Sequence, residues 1–203
     1  MIHYSTQTMP PMFGYKFLSG AVIPRPIAWI STVSNDGQKT NAAPFSFFNV
    51  VAPNLVSVSI LGGPYGRKDT SRNILETESA VIHLINIDNI KEMNQTAASF
   101  PPEMSEIEAF DLSSSVSETS PAPSLENAPI RLEVKLHQHI PIEQNGYLVS
   151  DLFILEVTDY FFKEEIFDEA HAYIIPEKFQ PIARLAGNTY ATLGDLFDVE
   201  RPQ

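Results

Sequence analysis

"IRLEVKLHQHIPIEQNGYLVSDLFILEVTDYFF", residues 130–162, decides the fold class. In its first part Leu132, Val134 and Leu136 alternate with Arg131, Glu133 and Lys135. A period of two places the apolar set on one face of a strand and the charged set on the other, so the first is assigned to a core and the second to solvent. The second part, 147–162, is long and apolar enough to lie centrally in a sheet. Between them stands Asn145-Gly146, a pair that tolerates the positive φ of a tight hairpin turn, so the two strands are expected to be antiparallel partners. His137 and His139 share one face of the first strand. A metal pair would need a third ligand, which the sequence does not offer, so they read as part of a solvated face and no metal is expected.

Working outward, more strands appear. PIAWISTV (26–33) is rich in β-formers and leads into Asp36-Gly37, a second turn signal, with KTNAAP as the returning partner. LVSVSI (55–60) alternates, with Val56, Val58 and Ile60 facing one way. SAVIHLIN (79–86) is a further strand, in which His83 shares a face with Val81 and Ile85 and reads as a hydrogen-bonded core or barrel-lining side chain. Helical signals are fewer. DTSRNILETE (69–78) is expected as a short helix with Asp69 or Thr70 as N-cap, and NIKEMNQTAASF (89–100) as a second, closed by Pro101-Pro102. The Ser- and Pro-rich segment 111–126 reads as a long surface loop, because the strands after it have no independent set of partners. The expectation is one domain over 1–203, mainly β, with antiparallel strands forming a closed or nearly closed barrel and a few short helices.

The chain has 203 residues, and 43% of them are hydrophobic, enough for a sizeable core. No apolar run approaches the roughly 20 residues of a membrane span. The N-terminus lacks the pattern of a secretory signal, so a cytoplasmic protein without membrane contact is expected. With no Cys there are no disulfides, thiolate metal sites or thiol nucleophiles. The net charge is -12, which argues against nucleic-acid binding. There is no GxGxxG, Walker loop or GxSxG elbow, and Gly62-Gly63-Pro64-Tyr65-Gly66 fits none of these spacings.

Two stretches remain. In TNAAPFSFFNVVAP (40–53) small residues precede Phe45, Phe47 and Phe48, interleaved with Ser46 and Asn49. Small residues admit a ligand to the backbone, rings form an apolar wall, and Ser and Asn supply polar handles for a flat aromatic ligand. A bent core strand explains the same composition. In GRKDTSRNI (66–74) three of the chain's 13 Lys and Arg gather around a helix start. Free N–H groups, the helix dipole, the hydroxyls of Thr70 and Ser71 and the charges of Arg67 and Lys68 would together suit a phosphate. An ordinary capped helix with a solvated basic turn remains open on these residues alone.

In order and spacing, PRPIAWISTVSNDG (24–37), NAAPFSFFNVVAP (41–53) and GRKDTSRNI (66–74) resemble the flavin reductase-like family with the FMN-binding split barrel. PIARLAGNTYATL (181–193) is similar to its closing Arg-x-x-Gly-x-x-Tyr pattern, here Arg184, Gly187 and Tyr190, and the resemblance runs over about residues 15–195. It implies a Greek-key split barrel of about six antiparallel strands and a homodimer with FMN near the subunit interface, FAD being an alternative whose proximal phosphate would use the same site. By this resemblance Asn41, Ala43, Pro44, Phe45, Ser46 and Asn49 would run along the flavin. Arg67, Lys68, Asp69 and Thr70 would hold the phosphate, with Asn73 bracing the turn, and Trp29, Ser31 and Thr32 would line the site. Two features depart from the family pattern: Leu155 stands where a Gly often precedes the Glu-Val pair, and a Cys common near Glu133 is absent.

The activity so implied is an NAD(P)H-dependent flavin reductase, or the reductase component of a monooxygenase, passing reduced flavin or electrons to a partner or another acceptor. No catalytic side chain is assigned, because the hydride chemistry belongs to the flavin. The alternative is an FMN-binding electron carrier that does not react with NAD(P)H.

Overall fold

The computed structural model describes residues 1–63, 66–98, 100–101 and 104–202. Pro64 and Tyr65 of the glycine-rich stretch, and Ser99 and Pro102 at the end of the expected second helix, lie outside the described residues.

The long hairpin is the spine of the molecule. Strands β8 (Ile130–Gln144) and β9 (Tyr147–Phe162) pair antiparallel around Asn145 and Gly146, both at positive φ. They sit inside a seven-stranded sheet with β1 (Ala28–Val33), β2 (Thr40–Phe45), β3 (Phe48–Ala52), β4 (Leu55–Leu61) and β5 (Ser79–Leu84), ordered β2-β1-β5-β8-β9-β4-β3. The sheet has one strand more than the six expected. It is no meander: β5 leaves its chain neighbour β4 and pairs with β1 and β8, while β4 pairs with β9.

The edge strands β2 and β3 are separated in sequence only by Ser46 and Phe47. Two residues can join opposite edges only if the sheet curls until those edges meet, which is the split barrel. The Phe47 carbonyl accepts from the Ser59 N–H of β4 at 2.8 Å and holds the kink. The interior is filled by alternate residues of every long strand, among them Ile30, Val58, Ile60, Ile82, Val134, Phe153 and Leu155. Leu155 is thus a core residue, and the barrel has room for its side chain.

A second apolar cluster covers part of the barrel's outside. It joins Ile27, Trp29 and Ile85 to Met93 of α3 (Ile90–Gln95), Ile107 of α4 (Glu106–Ala109) and Leu112 and Leu125 beyond. This is why β1 is buried on both faces. Helix α1 (Pro11–Ala21) has no counterpart in the sequence reading; it buries only Ser19 and shows Met12, Tyr15, Phe17 and Leu18 to solvent. Helix α2 (Asp69–Thr77) forms where expected, but its N-cap is Lys68 and no side chain caps it. Asp69 is drawn off by an ion pair with Arg72, and the Thr70 hydroxyl is turned to Asn41. Helix α3 is shorter than the 89–100 expected. Among the described residues no helix is long and apolar enough to cross a membrane, and no group of three His, Asp or Glu could hold a metal ion.

Segment 111–126 is anchored much more firmly than its composition suggests. It forms a small pairing of β6 (Ser114–Ser115) with β7 (Ser124–Leu125) and buries Ala122, Ser124 and Leu125. Two buried acceptors on the sheet hold it. Glu133, assigned to solvent by alternation, is 1% exposed and takes N–H bonds from Glu118, Thr119 and Ser120 at 2.8, 2.5 and 3.1 Å. His83 accepts the Leu125 N–H on Nε2 at 2.8 Å, so Nδ1 carries the proton and donates to the Trp29 carbonyl at 2.9 Å.

Burial pushes the His83 imidazole down from 6.5 to about 3. The unfolded chain therefore binds a proton that the folded chain refuses, and stability should fall as pH drops from 6.5 toward 3. Glu106, raised by burial, works in the opposite sense, its ionised form being disfavoured in the fold. Urea midpoints followed across this range should show a smaller acid loss in His83→Gln than in the wild type. Parallel curves would contradict a buried neutral imidazole.

Candidate functional site

The glycine-rich turn delivers the chain into α2. Gly63 and Gly66 bridge each other's backbone, and Gly66 sits at φ 100°, where a side chain would be strained. Of the three cations that follow, two are consumed locally. Arg67 Nε donates to both oxygens of buried Asp151 at 3.1 Å, and Asp151 also meets His139 Nε2 at 2.8 Å. Arg72 pairs with Asp69 and donates through Nη1 to the Arg67 carbonyl at 2.7 Å. Lys68 remains exposed and meets no carboxylate among the described residues; its Nζ lies 5.6 Å from the centroid of the Phe45 ring.

Beneath this turn lies a buried polar network. The Asn41 Oδ1 accepts from Thr70 at 2.7 Å and Thr32 at 3.3 Å, and Thr32 in turn accepts from Asn73 Nδ2 at 2.9 Å. Asn41 Nδ2 donates to Glu106 Oε2 at 2.9 Å, which also takes the Ala42 N–H at 3.3 Å. Burial pushes the Glu106 carboxyl up, and those bonds partly restore it. Four of the site residues expected from sequence, Thr32, Asn41, Thr70 and Asn73, thus come together, facing one another and buried. They fix the start of α2 against β1 and β2. The neighbouring Ser71 Oγ is buried without a hydrogen-bond partner among the described residues.

Phe45 leads from the turn to a cavity of about 730 Å³. Pro44, Phe45 and Ser46 form one wall, Tyr15 and Arg25 flank it, and α3 and the hairpin of Ile182–Arg184 with Tyr190–Thr192 close the far side. Arg25 is 7% exposed and ties these parts together: it donates to the carbonyls of Ser19 and Val22 at 2.5 and 2.7 Å, to that of Leu185 at 2.9 Å, and to Ser46 Oγ at 3.4 Å. The closing motif also gains a geometry. The Arg184 guanidinium lies 4.5 Å from the Tyr190 ring centroid and donates to the Gly187 carbonyl, while Tyr190 donates to Asn94 at 3.0 Å. Sequence reasoning passed over Arg25, although a lone Arg in the Pro24–Pro26 stretch of an acidic chain was a visible signal.

The remaining expected site residues stand apart. Trp29 is buried on the barrel's outside and donates to Thr96 at 2.9 Å. Ser31 donates to the Pro123 carbonyl at 2.5 Å. Asn49 is exposed on the edge strand, and Ala43 is half-buried between the network and the cavity wall.

An uncapped helix start with a spare lysine, joined through one aromatic ring to a drug-sized cavity, is what a phosphate-bearing flat ring system requires. The curled sheet gives the fold of the split-barrel, flavin reductase-like class. The chain belongs to the flavin reductase like domain family, whose model matches residues 19–183. It is 41% identical over 191 residues to the uncharacterized protein YwrF of Bacillus subtilis (strain 168), covering 93% of each chain. Among solved structures it is similar to nitrilotriacetate monooxygenase component B from Bacillus cereus, with 36% identity, a TM-score of 0.93 and 98% of each chain covered. It is also similar to Pseudomonas fluorescens 2-nitrobenzoate 2-nitroreductase NbaA, with 28% identity, a TM-score of 0.88, and 99% of this chain and 96% of that one covered.

Proposed function

We propose that this protein binds FMN and works as an NAD(P)H-dependent flavin oxidoreductase, passing reduced flavin or electrons to an acceptor or partner monooxygenase. The observation that carries the reading is Lys68: it meets no carboxylate among the described residues and stands at an uncapped helix start, against the ring of a residue that also lines the cavity. Lys68 and the first-turn N–H groups would receive the phosphate. The wall from Ala43 to Ser46 would meet the ring system, with Arg25 holding Ser46 in place. Bound there, the flavin supplies the chemistry, accepting a hydride and releasing electrons. The chain's task is to bind and orient it and to leave one face open. FAD is accommodated by the same reading, since its proximal phosphate would use the same turn. Homodimerisation belongs to the proposal as well, supported by the apolar side chains that α1 and β3 expose, among them Met12, Leu18 and Val50.

One preparation tests the proposal. Protein reconstituted with FMN should keep flavin absorption after desalting, sediment at twice 22.6 kDa, and bleach when NADH or NADPH is added without air. Retained flavin that neither nicotinamide bleaches would identify an electron carrier instead, and failure to retain flavin would end the proposal.

A further inference from the structure

The cavity has a charge pattern that flavin binding leaves unexplained. In a chain with 25 Asp and Glu against 13 Lys and Arg, its lining includes Arg25, Lys91 and Arg184 and no carboxylate. None of the three is in an ion pair among the described residues. The acidic residue beside Lys91, Glu92, is engaged by the Asn127 amide at 3.1 Å. Arg25 is the most telling, for a buried guanidinium that meets carbonyls, a hydroxyl and the Phe47 ring faces no carboxylate among the described residues. The rest of the far wall is apolar and aromatic, from Ile90, Met93 and Tyr190, with the amide of Asn188 beside them.

We propose that this cavity admits a small aromatic acid as a second ligand, its carboxylate met by Lys91 and Arg184 and its ring lying against Tyr190 and Met93. The inference rests on the flavin reading only for what occupies the Pro44–Ser46 wall. The position of the cations selects the ligand. Arg184 is bonded through its backbone to Arg25, N–H to carbonyl at 2.8 and 3.1 Å, and Arg25 touches Ser46. An anion held by Arg184 and Lys91 shares one cavity with the wall assigned to the flavin. An acid carried directly on an aromatic ring keeps its charge and its ring within that one cavity, whereas the phosphates of a dinucleotide are set back from its reactive ring by a ribose. Arg184 presents a planar fork suited to a carboxylate, and Lys91, exposed on α3, adds a second charge.

The test compares benzoate with neutral benzamide, titrated into the FMN-loaded protein and read by the flavin difference spectrum. Benzoate should perturb the spectrum saturably and bind at least about tenfold more tightly than benzamide, the least expected for a hydrogen bond to a charged group. Lys91→Gln, a change at an exposed helix position, should weaken benzoate several-fold and leave benzamide and FMN retention unchanged. Equal affinity for the two probes, or a Lys91→Gln variant that binds benzoate as the wild type does, would overturn the inference while leaving flavin binding intact. If the protein does not hold FMN, the flavin reading fails by itself, and calorimetric titration of the flavin-free protein decides the cavity: saturable benzoate binding sensitive to Lys91→Gln supports it, and its absence overturns it.

Discussion

Glu133→Ala is expected to lower stability by about 2–4 kcal/mol, because one buried carboxylate accepts from three backbone N–H groups and from the Thr119 hydroxyl at 2.8 Å. Bonds to a charged group are worth about 1.5–3 kcal/mol each, but they do not add, since parts of the released loop would find water. The denaturant midpoint should fall with the m-value unchanged, and segment 111–126 should become open to proteases that cut after Glu118. Glu133→Gln should recover only part of the loss: it keeps the shape but removes the charge and turns an amide toward the donors. A variant as stable and as resistant as the wild type would show that the loop is held by its apolar residues alone.

Lys68→Ala should weaken FMN by about 1.5–3 kcal/mol, or roughly 10- to 150-fold in Kd, and barely change riboflavin, which has no phosphate to lose. The neighbouring cations cannot stand in, because Arg67 is engaged by Asp151 and Arg72 by Asp69. High salt should narrow the difference between wild type and variant, since Lys68 is exposed and its contact is screened. Titration of both flavins against both proteins reads all three effects. FMN affinity within twofold of wild type would leave the basic turn as a solvated helix start.

These two residues mark how far the sequence could be read. The position of Lys68 at a helix start was legible because that motif lies within nine residues. The strands were legible for the same reason: alternation in LVSVSI and the Asn145-Gly146 turn carry their consequence within a few positions. Glu133 was not. Its place on the polar face of an alternating strand is correct, but that face is covered by a segment that arrives from residues 118–120, and periodicity cannot report what lies on top of a strand. The same limit hid the contact that the Thr70 hydroxyl makes with Asn41. A hydroxyl at a helix start reads as a donor to a phosphate, and its partner Asn41 is far away in sequence. Trp29 was placed by its motif and moved by packing, since a strand buried on both faces gives no sign of which side chains look toward a ligand.

The strand order carries a consequence for how the chain comes to be made. Strand β4 ends at Leu61, yet one of its partners, β9, begins at Tyr147; β1 waits for β5, and β5 for β8. A ribosome delivering this protein exposes the β1–β2 and β3–β4 hairpins long before the spine that joins them exists. Until it emerges, two pairs of strands present open edges, and the Ser46–Phe47 link keeps them close without letting them close on each other. Synthesis should therefore pass through a long interval in which the nascent chain is sticky and the barrel unformed, and folding should complete in one late step once the 130–162 hairpin has cleared the exit tunnel.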